Sequence, residues 1–242
     1  MNIRNRTPNF DDVANIVKIL GITSNNGESF DRDLHLYSLI EKPWGFEYRV
    51  YCDSIFDVWK LHISPQEKTS MHCHIQKDTV LICLNGSGVT KFLDGDEFNI
   101  SVGQVVYIER GVFHQTISTG NDYLELIEVE NPRNKFDLLR LSDDYGRAAQ
   151  SYENVSLNHD LLSPLKLISP GAYIRNVDIN SKFSFFLEKL NIDILDDENI
   201  LFIVSLSIDS HLSGKINIFL KEDVKCRSYI GQQVLLISRK NK

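Results

Sequence analysis

The chain has 242 residues, enough for one large domain or two small ones. Apolar residues make up 42% and charged residues 24%, which is ordinary for a globular protein and excludes a largely disordered chain. The net charge is −7, and all of it falls in residues 1–149, which hold 22 acidic and 15 basic side chains. An acidic chain lacks the cationic face that binds nucleic-acid phosphates, so we expect no nucleic-acid partner.

The N-terminal ten residues are polar, and no window of 18 residues is continuously apolar. We therefore expect neither a secretory signal nor a membrane span. The four cysteines are scattered and form no Cys-x-x-Cys pair. This pattern favours reduced thiols over a disulfide framework or a structural zinc site, and it predicts a cytoplasmic protein.

The first predicted element in chain order is an amphipathic helix over Asn9–Leu20, followed by Gly21. From Trp44 onward the pattern changes to short β-branched and aromatic runs separated by glycines. The predicted strands are Phe46–Tyr51, Ile55–Ile63, Thr79–Leu84, Val89–Leu93, Gln104–Ile108, Tyr123–Val129, Phe183–Phe186, Ile200–Ile208, Lys215–Leu220 and Val234–Ser238. Short strands with regular turns and little helix favour a sandwich, a jelly roll or a barrel.

A pair of histidines is the main chemical feature. His72 and His74 are separated by one residue, so on a strand both imidazoles point to the same face. Two imidazoles on one strand and a third from a neighbouring strand can enclose a metal and leave positions open for water or substrate, and His114 is the candidate third ligand. Gln76 shares the parity of the pair and is a candidate oxygen ligand. The alternative is a polar His-x-His edge that binds no metal.

The sequence around these histidines resembles the cupin family. The first cupin motif is a glycine, five residues, His-x-His, three or four residues, a glutamate, six residues and a glycine. Residues 66–86 follow this spacing, with Gln66 for the first glycine and Thr79 for the glutamate. Residues 103–114 follow the second motif, which is a glycine, five residues, Pro-x-Gly, two residues and a histidine, with a glutamate for the proline. The resemblance implies an all-β fold, the cupin double-stranded β-helix or jelly roll, and a divalent metal that could be Zn, Fe, Mn or Ni.

Residues 40–150 are similar to the C-terminal cupin domain of type II mannose-6-phosphate isomerases. The shared segments are Lys42-Pro43-Trp44-Gly45, Pro65-Gln66-Glu67-Lys68, Leu124–Val129, Asp137–Arg140 and Asp144–Arg147. This resemblance implies an enzyme of isomerase or epimerase type that acts on a phosphorylated sugar or a nucleotide-sugar in surface-polysaccharide precursor synthesis. The chain departs from those isomerases at two ligand positions, because they typically have glutamine at the position of His72 and glutamate at the position of Thr79.

Isomerisation of a sugar phosphate moves a proton between adjacent carbons, and cationic groups must hold the phosphate. The candidate catalytic residues are Lys68, Glu125 and Arg147. The candidate substrate-binding residues are Lys60, His62 and Arg110. We expect Lys60 and His62, two positions apart on one strand, to line the barrel. For each candidate the alternative is a side chain that only carries surface charge or faces outward.

Two other functions stay open. A non-catalytic cupin that binds a sugar is consistent with the missing glutamate, and a three-histidine Fe(II) dioxygenase is consistent with a ligand set without a carboxylate.

The predicted domain organisation is an N-terminal helix and loop over 1–39, a cupin domain with the metal site over 40–150, and a degenerate, β-rich, metal-free cupin-like module over 151–242. The module is inferred because a shift of 128 residues aligns Gly86 with Gly214 and Gly103 with Gly231. Exposed sheet edges further predict a homodimer.

Overall fold

The computed structural model describes residues 2–21, 33, 35–146, 164–175 and 182–240. Within these ranges the chain is mostly strand, which confirms the all-β class. The helical elements are α1 (Phe10–Leu20), α2 (Ile192–Asp196), α3 (Ile208–Ser213) and a 3-10 helix (Val224–Tyr229). No helix in the described part is both long and apolar enough to cross a bilayer.

Every predicted strand is present, one with the predicted ends and the others with ends that differ by no more than three residues. The first twelve are β1 (Asn2–Arg6), β2 (Leu39–Lys42), β3 (Gly45–Cys52), β4 (Asp57–Ile63), β5 (Met71–Cys73), β6 (Asp78–Asn85), β7 (Ser87–Phe92), β8 (Glu97–Ser101), β9 (Gln104–Ile108), β10 (His114–Ser118), β11 (Leu124–Asn131) and β12 (Leu139–Ser142). The remaining described strands are β13 (Lys166–Ser169), β14 (Ala172–Ile174), β15 (Phe183–Lys189), β16 (Ile200–Ser205), β17 (Asn217–Leu220) and β18 (Gln233–Arg239).

The described strands form three sheets stacked in layers. The middle sheet has the order β1-β9-β6-β11-β4-β3-β14-β13, with β2 also paired to β3. A five-stranded sheet, β12-β5-β10-β7-β8, faces one side of it, and a four-stranded sheet, β15-β18-β16-β17, covers the other. We call these the middle, site and C-terminal sheets.

Each interface between the layers has its own apolar core. Between the middle and site sheets the core includes Trp59, Leu81 and Leu126. Between the middle and C-terminal sheets, residues such as Val80 pack with residues such as Phe202. Because both faces of the middle sheet are covered, its central strands β6 and β11 are buried at seven of eight positions each rather than at alternate ones.

Helix α1 starts where the sequence predicts. Asn9 caps it, and its side chain and that of Asp12 form a reciprocal capping box. Asp12 is buried, and its carboxylate also accepts a hydrogen bond from the Phe113 backbone N–H at 2.9 Å. The helix is therefore attached to the loop that leads into β10, while its apolar residues Phe10 and Val17 face solvent.

Gly45 ends the Lys-Pro-Trp-Gly segment and begins β3. Its φ of +141° is rare for other residues, and a Cβ at this position would clash with the His62 carbonyl oxygen on β4. Glycine is therefore required here for the close approach of β3 to β4.

Segments before and after residues 40–150 also contribute to the middle sheet. Strand β1 pairs in parallel with β9, and β14 pairs with β3, so residues 2–6 and 166–174 extend the sheet formed within residues 40–150. A shift of 128 residues aligns β9 with β18, but it aligns β6 with helix α3. The C-terminal part is β-rich as expected, while its cupin-like character and the domain boundaries stay predictions.

All four cysteines are buried free thiols, in agreement with the expected absence of a disulfide framework. Cys52 lies in β3, Cys73 in β5, Cys83 in β6 and Cys226 in the 3-10 helix. Burial raises the pKa of all four thiols, to about 12 for Cys52, Cys83 and Cys226. These thiols are therefore neutral at ordinary pH.

Candidate metal centre

The three predicted histidines meet inside the space between the middle and site sheets. His72 on β5 is the direct cross-strand partner of His114 on β10, and His74 follows the end of β5. The ring centroids are 4.5 Å apart for His72 and His114, 5.2 Å for His72 and His74, and 5.6 Å for His74 and His114. All three are buried, and one ring nitrogen of each lies within 4.8 Å of the others.

Each imidazole is oriented by a backbone carbonyl. The acceptors are the carbonyl oxygens of Ser70 for His72 at 2.8 Å, Asp137 for His74 at 2.5 Å and Val112 for His114 at 3.1 Å. A carbonyl oxygen can only accept, so Nδ1 carries the proton in all three rings and Nε2 keeps its lone pair. This arrangement is the usual one around metal-bound histidines.

The electrostatics also suit a cation. Burial lowers the pKa of all three imidazoles below the usual value, to about 4 for His114. The rings are therefore neutral, which is the state that binds a metal. His74 Nε2 is buried and has no hydrogen-bond partner among the described residues. Such an atom needs a ligand to compensate its burial, so the residues present fit a metal ion.

The histidines open into a pocket of about 620 Å³, including its open mouth. Its walls carry four basic side chains, which are Lys42, Lys77, Lys135 and Arg140. They also carry three acidic side chains, which are Glu47, Glu128 and Glu130. The pocket thus combines a neutral imidazole cluster with a wall of opposite charges.

The charges in the pocket are paired. Lys77 Nζ lies 2.6 Å from Glu130 Oε1, and Lys135 Nζ lies 3.2 Å from Glu47 and 3.7 Å from Glu128. Burial, reinforced by the neighbouring Glu130, raises the pKa of Glu128 to about 7. Burial alone would lower the pKa of Lys135, but Glu47 and the other two carboxylates outweigh it and the pKa is raised.

Glu128 and Glu130 were not predicted as site residues. They share the parity of Leu126 on β11, so all three point into the interior, whereas Ile127 and Val129 pack toward the C-terminal sheet. One ligand atom from each of Glu128, Glu130 and His74 lies within 4.8 Å of the other two. The sequence pattern that could have identified them is the alternation on this strand, in which two acidic residues occupy positions that face the interior.

A comparison with protein families identifies this part of the chain. Residues 59–130 match the model described as "Cupin domain". The chain contains a cupin domain. The predicted membership of the cupin superfamily is confirmed, and the metal candidates His72, His74 and His114 all lie within the matched residues.

The curated relatives of this chain include a protein named for guanylyl transfer to mannose 1-phosphate and one named for xanthan biosynthesis. A "Mannose-1-phosphate guanylyltransferase" of Sinorhizobium fredii is 25% identical over 135 residues, covering 55% of this chain and 25% of the relative. The "Xanthan biosynthesis protein XanB" of Xanthomonas campestris is 30% identical over 111 residues, covering 45% of this chain and 23% of the relative. The match therefore spans about a quarter of the length of these relatives.

Among solved structures, a cupin-superfamily sugar phosphate isomerase from Silicibacter pomeroyi is 21% identical and has a TM-score of 0.31. That alignment covers 32% of this chain and 51% of the other.

Gln76 does not join the histidines of the cupin domain. Strand β5 ends at Cys73, and the Asp137 carboxylate then accepts the backbone N–H groups of Ile75, Gln76 and Lys77 at 2.8–3.1 Å. The chain turns there, so the strand parity used in the prediction does not extend to Gln76. Its side chain is exposed and accepts a hydrogen bond from Asn134 at 3.2 Å.

Lys60, His62 and Glu125 lie on the opposite face of the middle sheet from the cupin pocket, so the expectation that Lys60 and His62 line the barrel is wrong. Lys60 Nζ lies 2.9 Å from Glu125, and His62 stacks on Phe46 with ring centroids 4.3 Å apart. Lys60 and His62 share the parity of Val58, which packs toward the C-terminal sheet, while the alternate residues Trp59 and Leu61 face the interior.

The other candidates lie outside the pocket or outside the described residues. Lys68 is part-exposed and forms an ion pair with Asp144 at 2.5 Å. Arg110 binds Asp78 at 2.9 Å and the Gly214 carbonyl at 2.9 Å, so it connects the second cupin motif to the C-terminal part. Arg147 lies outside the described residues.

Proposed function

We propose that the chain is a metal-dependent cupin that acts on a phosphorylated sugar or a nucleotide-sugar, as an isomerase or epimerase in surface-polysaccharide precursor synthesis. The observation that carries the proposal is the triad of His72, His74 and His114, with Nδ1 of each bound to a carbonyl and Nε2 left to a ligand. These three residues would hold the ion. The names of the relatives, a mannose-1-phosphate guanylyltransferase and a xanthan biosynthesis protein, support the substrate class.

A bound divalent ion would polarise the oxygen atoms of the sugar. The chain's own side chains supply the remaining functions. Arg140, the cross-strand neighbour of His72, and Lys42 line the pocket and offer positive charge to a phosphate. Glu128 lies in the same pocket and can accept a proton from a sugar carbon, so the geometry favours it over Glu125 for this role.

Metal analysis tests the proposal first. We expect protein purified without a histidine tag to retain about one divalent ion per chain, and His72→Ala and His114→Ala to lose it. His62→Gln is the matched control, because this buried histidine lies on the other face of the middle sheet. A wild-type protein that binds no Zn, Fe, Mn or Ni after incubation with each ion would refute the metal-dependent function.

Substrate chemistry tests the second part. We expect the loaded protein in heavy water to exchange the C2 proton of mannose 6-phosphate or a related sugar phosphate for deuterium, as observed by proton NMR. Arg140→Met should raise KM more than it lowers kcat, because it removes a group that binds the phosphate. Oxygen uptake without exchange would favour the dioxygenase, and saturable binding without exchange or oxygen uptake would favour the non-catalytic cupin.

We further propose a cytoplasmic homodimer without nucleic-acid or membrane partners. The four buried thiols fit a reducing compartment. The edge strands β8 and β17 each have one side without a strand partner among the described residues, which favours pairing between copies. Sedimentation at several protein concentrations tests the dimer.

A further inference from the structure

The carboxylate of the first cupin motif is absent at position 79 but present on the neighbouring strand. Thr79 on β6 and Glu130 on β11 are direct cross-strand partners. Directly opposed residues on one face of a sheet have Cβ atoms about 5 Å apart, so a carboxylate on either residue reaches much the same space. Both residues are 1% exposed.

Both side chains face the interior. On β6, Thr79 has the parity of Leu81 and Cys83, and on β11, Glu130 has the parity of Leu126. Leu81, Leu126 and Glu130 all line the pocket that contains the histidines. A carboxylate at position 130 on β11 therefore lies on the same side of the sheet as one at position 79 on β6 would.

One oxygen of Glu130 lacks a partner. Oε1 accepts a hydrogen bond from Lys77 at 2.6 Å, but Oε2 is buried and has no hydrogen-bond partner among the described residues. The same holds for Nε2 of His74. His74, Glu128 and Glu130 form one cluster whose ligand atoms lie within 4.8 Å of one another, and His74 also belongs to the histidine triad. Two buried acceptors without donors in one cluster are costly unless a cation binds both.

The neighbouring acid is less suited to this role. Glu128 lies 3.7 Å from Lys135, and neither of its oxygens is both fully buried and unpartnered among the described residues. Glu130 can keep Lys77 on Oε1 and still present Oε2 to an ion.

We infer that Glu130 supplies the carboxylate ligand of the metal, in place of the residue at position 79, through Oε2 and together with His72, His74 and His114. This inference rests on the proposed metal site. It turns a three-histidine site into a three-histidine, one-carboxylate site, with the carboxylate on a different strand from the one in the cupin motif.

Cobalt(II) binding, followed by calorimetry and by the visible absorption of the bound ion, tests the assignment. We expect Glu130→Thr to weaken cobalt binding on the order of 100-fold and to change the visible spectrum, because one direct ligand of the ion is lost. The double variant Thr79→Glu/Glu130→Thr, which moves the carboxylate back to β6, should recover most of the affinity. Glu128→Gln is the matched control and should retain the wild-type spectrum.

The outcomes separate the inference from the proposed function. If Glu130→Thr binds cobalt as the wild type does while His72→Ala does not, the metal site stands and the role of Glu130 is wrong. If the wild type binds no metal, both are wrong. Loss of fold in Glu130→Thr would appear in circular dichroism, and in that case Glu130→Gln, which keeps the side-chain volume, decides by the same two measurements.

Discussion

At the scale of single residues, His74 depends on a residue outside both cupin motifs. The Asp137 carbonyl accepts the Nδ1–H of His74, and the Asp137 carboxylate accepts three successive N–H groups of the turn that follows His74. One residue therefore fixes both the ring and the backbone of a metal candidate. Asp137 is a positioning residue, since it does not face the pocket.

We expect Asp137→Ala to weaken metal binding by about 10-fold, the lower end of the usual outer-shell effect, because it removes the carboxylate that holds the turn after His74 but keeps the carbonyl that orients the ring. Three backbone N–H groups lose their acceptor in this variant, so circular dichroism checks its fold, and cobalt affinity measures the effect. Asp122→Ala, in an exposed loop, is the control. Equal affinities in the two variants would show that the turn holds His74 without the carboxylate.

His62 gives the protein a predictable sensitivity to acid. Burial, with Lys60 close by, lowers the pKa of His62 to about 3. In the unfolded chain the pKa is near 6.5, so between these values the unfolded state binds more protons and stability falls as the pH falls. We expect His62→Gln to reduce the slope of unfolding free energy against pH by up to about 1.4 kcal/mol per unit between pH 6 and pH 4. Urea unfolding at several pH values measures the slope, and equal slopes in the two proteins would contradict the prediction.

Site residues that belong to a motif of fixed spacing could be predicted from the sequence. Those whose orientation depends on where a strand ends could not. His72, His74 and His114 followed from two motifs whose spacing the sequence preserves. The prediction that Gln76 is a metal ligand was wrong because β5 ends before it, and a sequence does not define strand ends to within one residue. Glu130 could have been noticed from its parity on β11, but its pairing with Thr79 is a register between distant strands, which no local pattern contains.

At the scale of elements, the longer strands rich in apolar residues were predicted, and most of the shorter or more polar strands were missed. Strand β1, with the sequence Asn-Ile-Arg-Asn-Arg, has one apolar residue, and its conformation comes from parallel pairing with β9. Arg6 also lies over the ring of Phe92 at 4.8 Å. Tertiary partners therefore determine this strand more than its own sequence does.

Helix α1 should stabilise the protein through Asp12 more than through its apolar residues. We expect Asp12→Ala to lower the free energy of unfolding by about 1–3 kcal/mol, because the Phe113 N–H and the Asn9 N–H both lose their acceptor. Asp11→Ala, an exposed residue of the same helical turn, is the control. Chemical denaturation compares them, and an equal small effect of both substitutions would exclude the anchoring role.

At the scale of the whole molecule, the middle sheet is shared between two cores. Its strands pack against the site sheet on one face and against the C-terminal sheet on the other. A substitution that destabilises the C-terminal sheet should therefore also destabilise the core that holds the metal candidates, because only the middle sheet lies between them. The charge asymmetry of the sequence does not imply two independent halves.

Phe185→Ala tests this coupling. Phe185 on β15 is 1% exposed, and its truncation should cost about 3–5 kcal/mol. The two tryptophans, Trp44 and Trp59, lie between the middle and site sheets, so their fluorescence reports that core alone. We expect the unfolding free energy from their urea transition to fall by this full amount in Phe185→Ala. Phe10→Ala, at an exposed position, should leave the transition unchanged. A tryptophan transition that does not move would indicate independent unfolding of the two cores.

The four buried thiols can report when the structure around each of them opens. They lie on β3, β5, β6 and the 3-10 helix, and each is neutral and covered in the folded state. An alkylating reagent can therefore modify each cysteine only when the surrounding structure opens. The order in which Cys52, Cys73, Cys83 and Cys226 acquire label, read by mass spectrometry without any engineered residue, would time the opening of each layer of the fold.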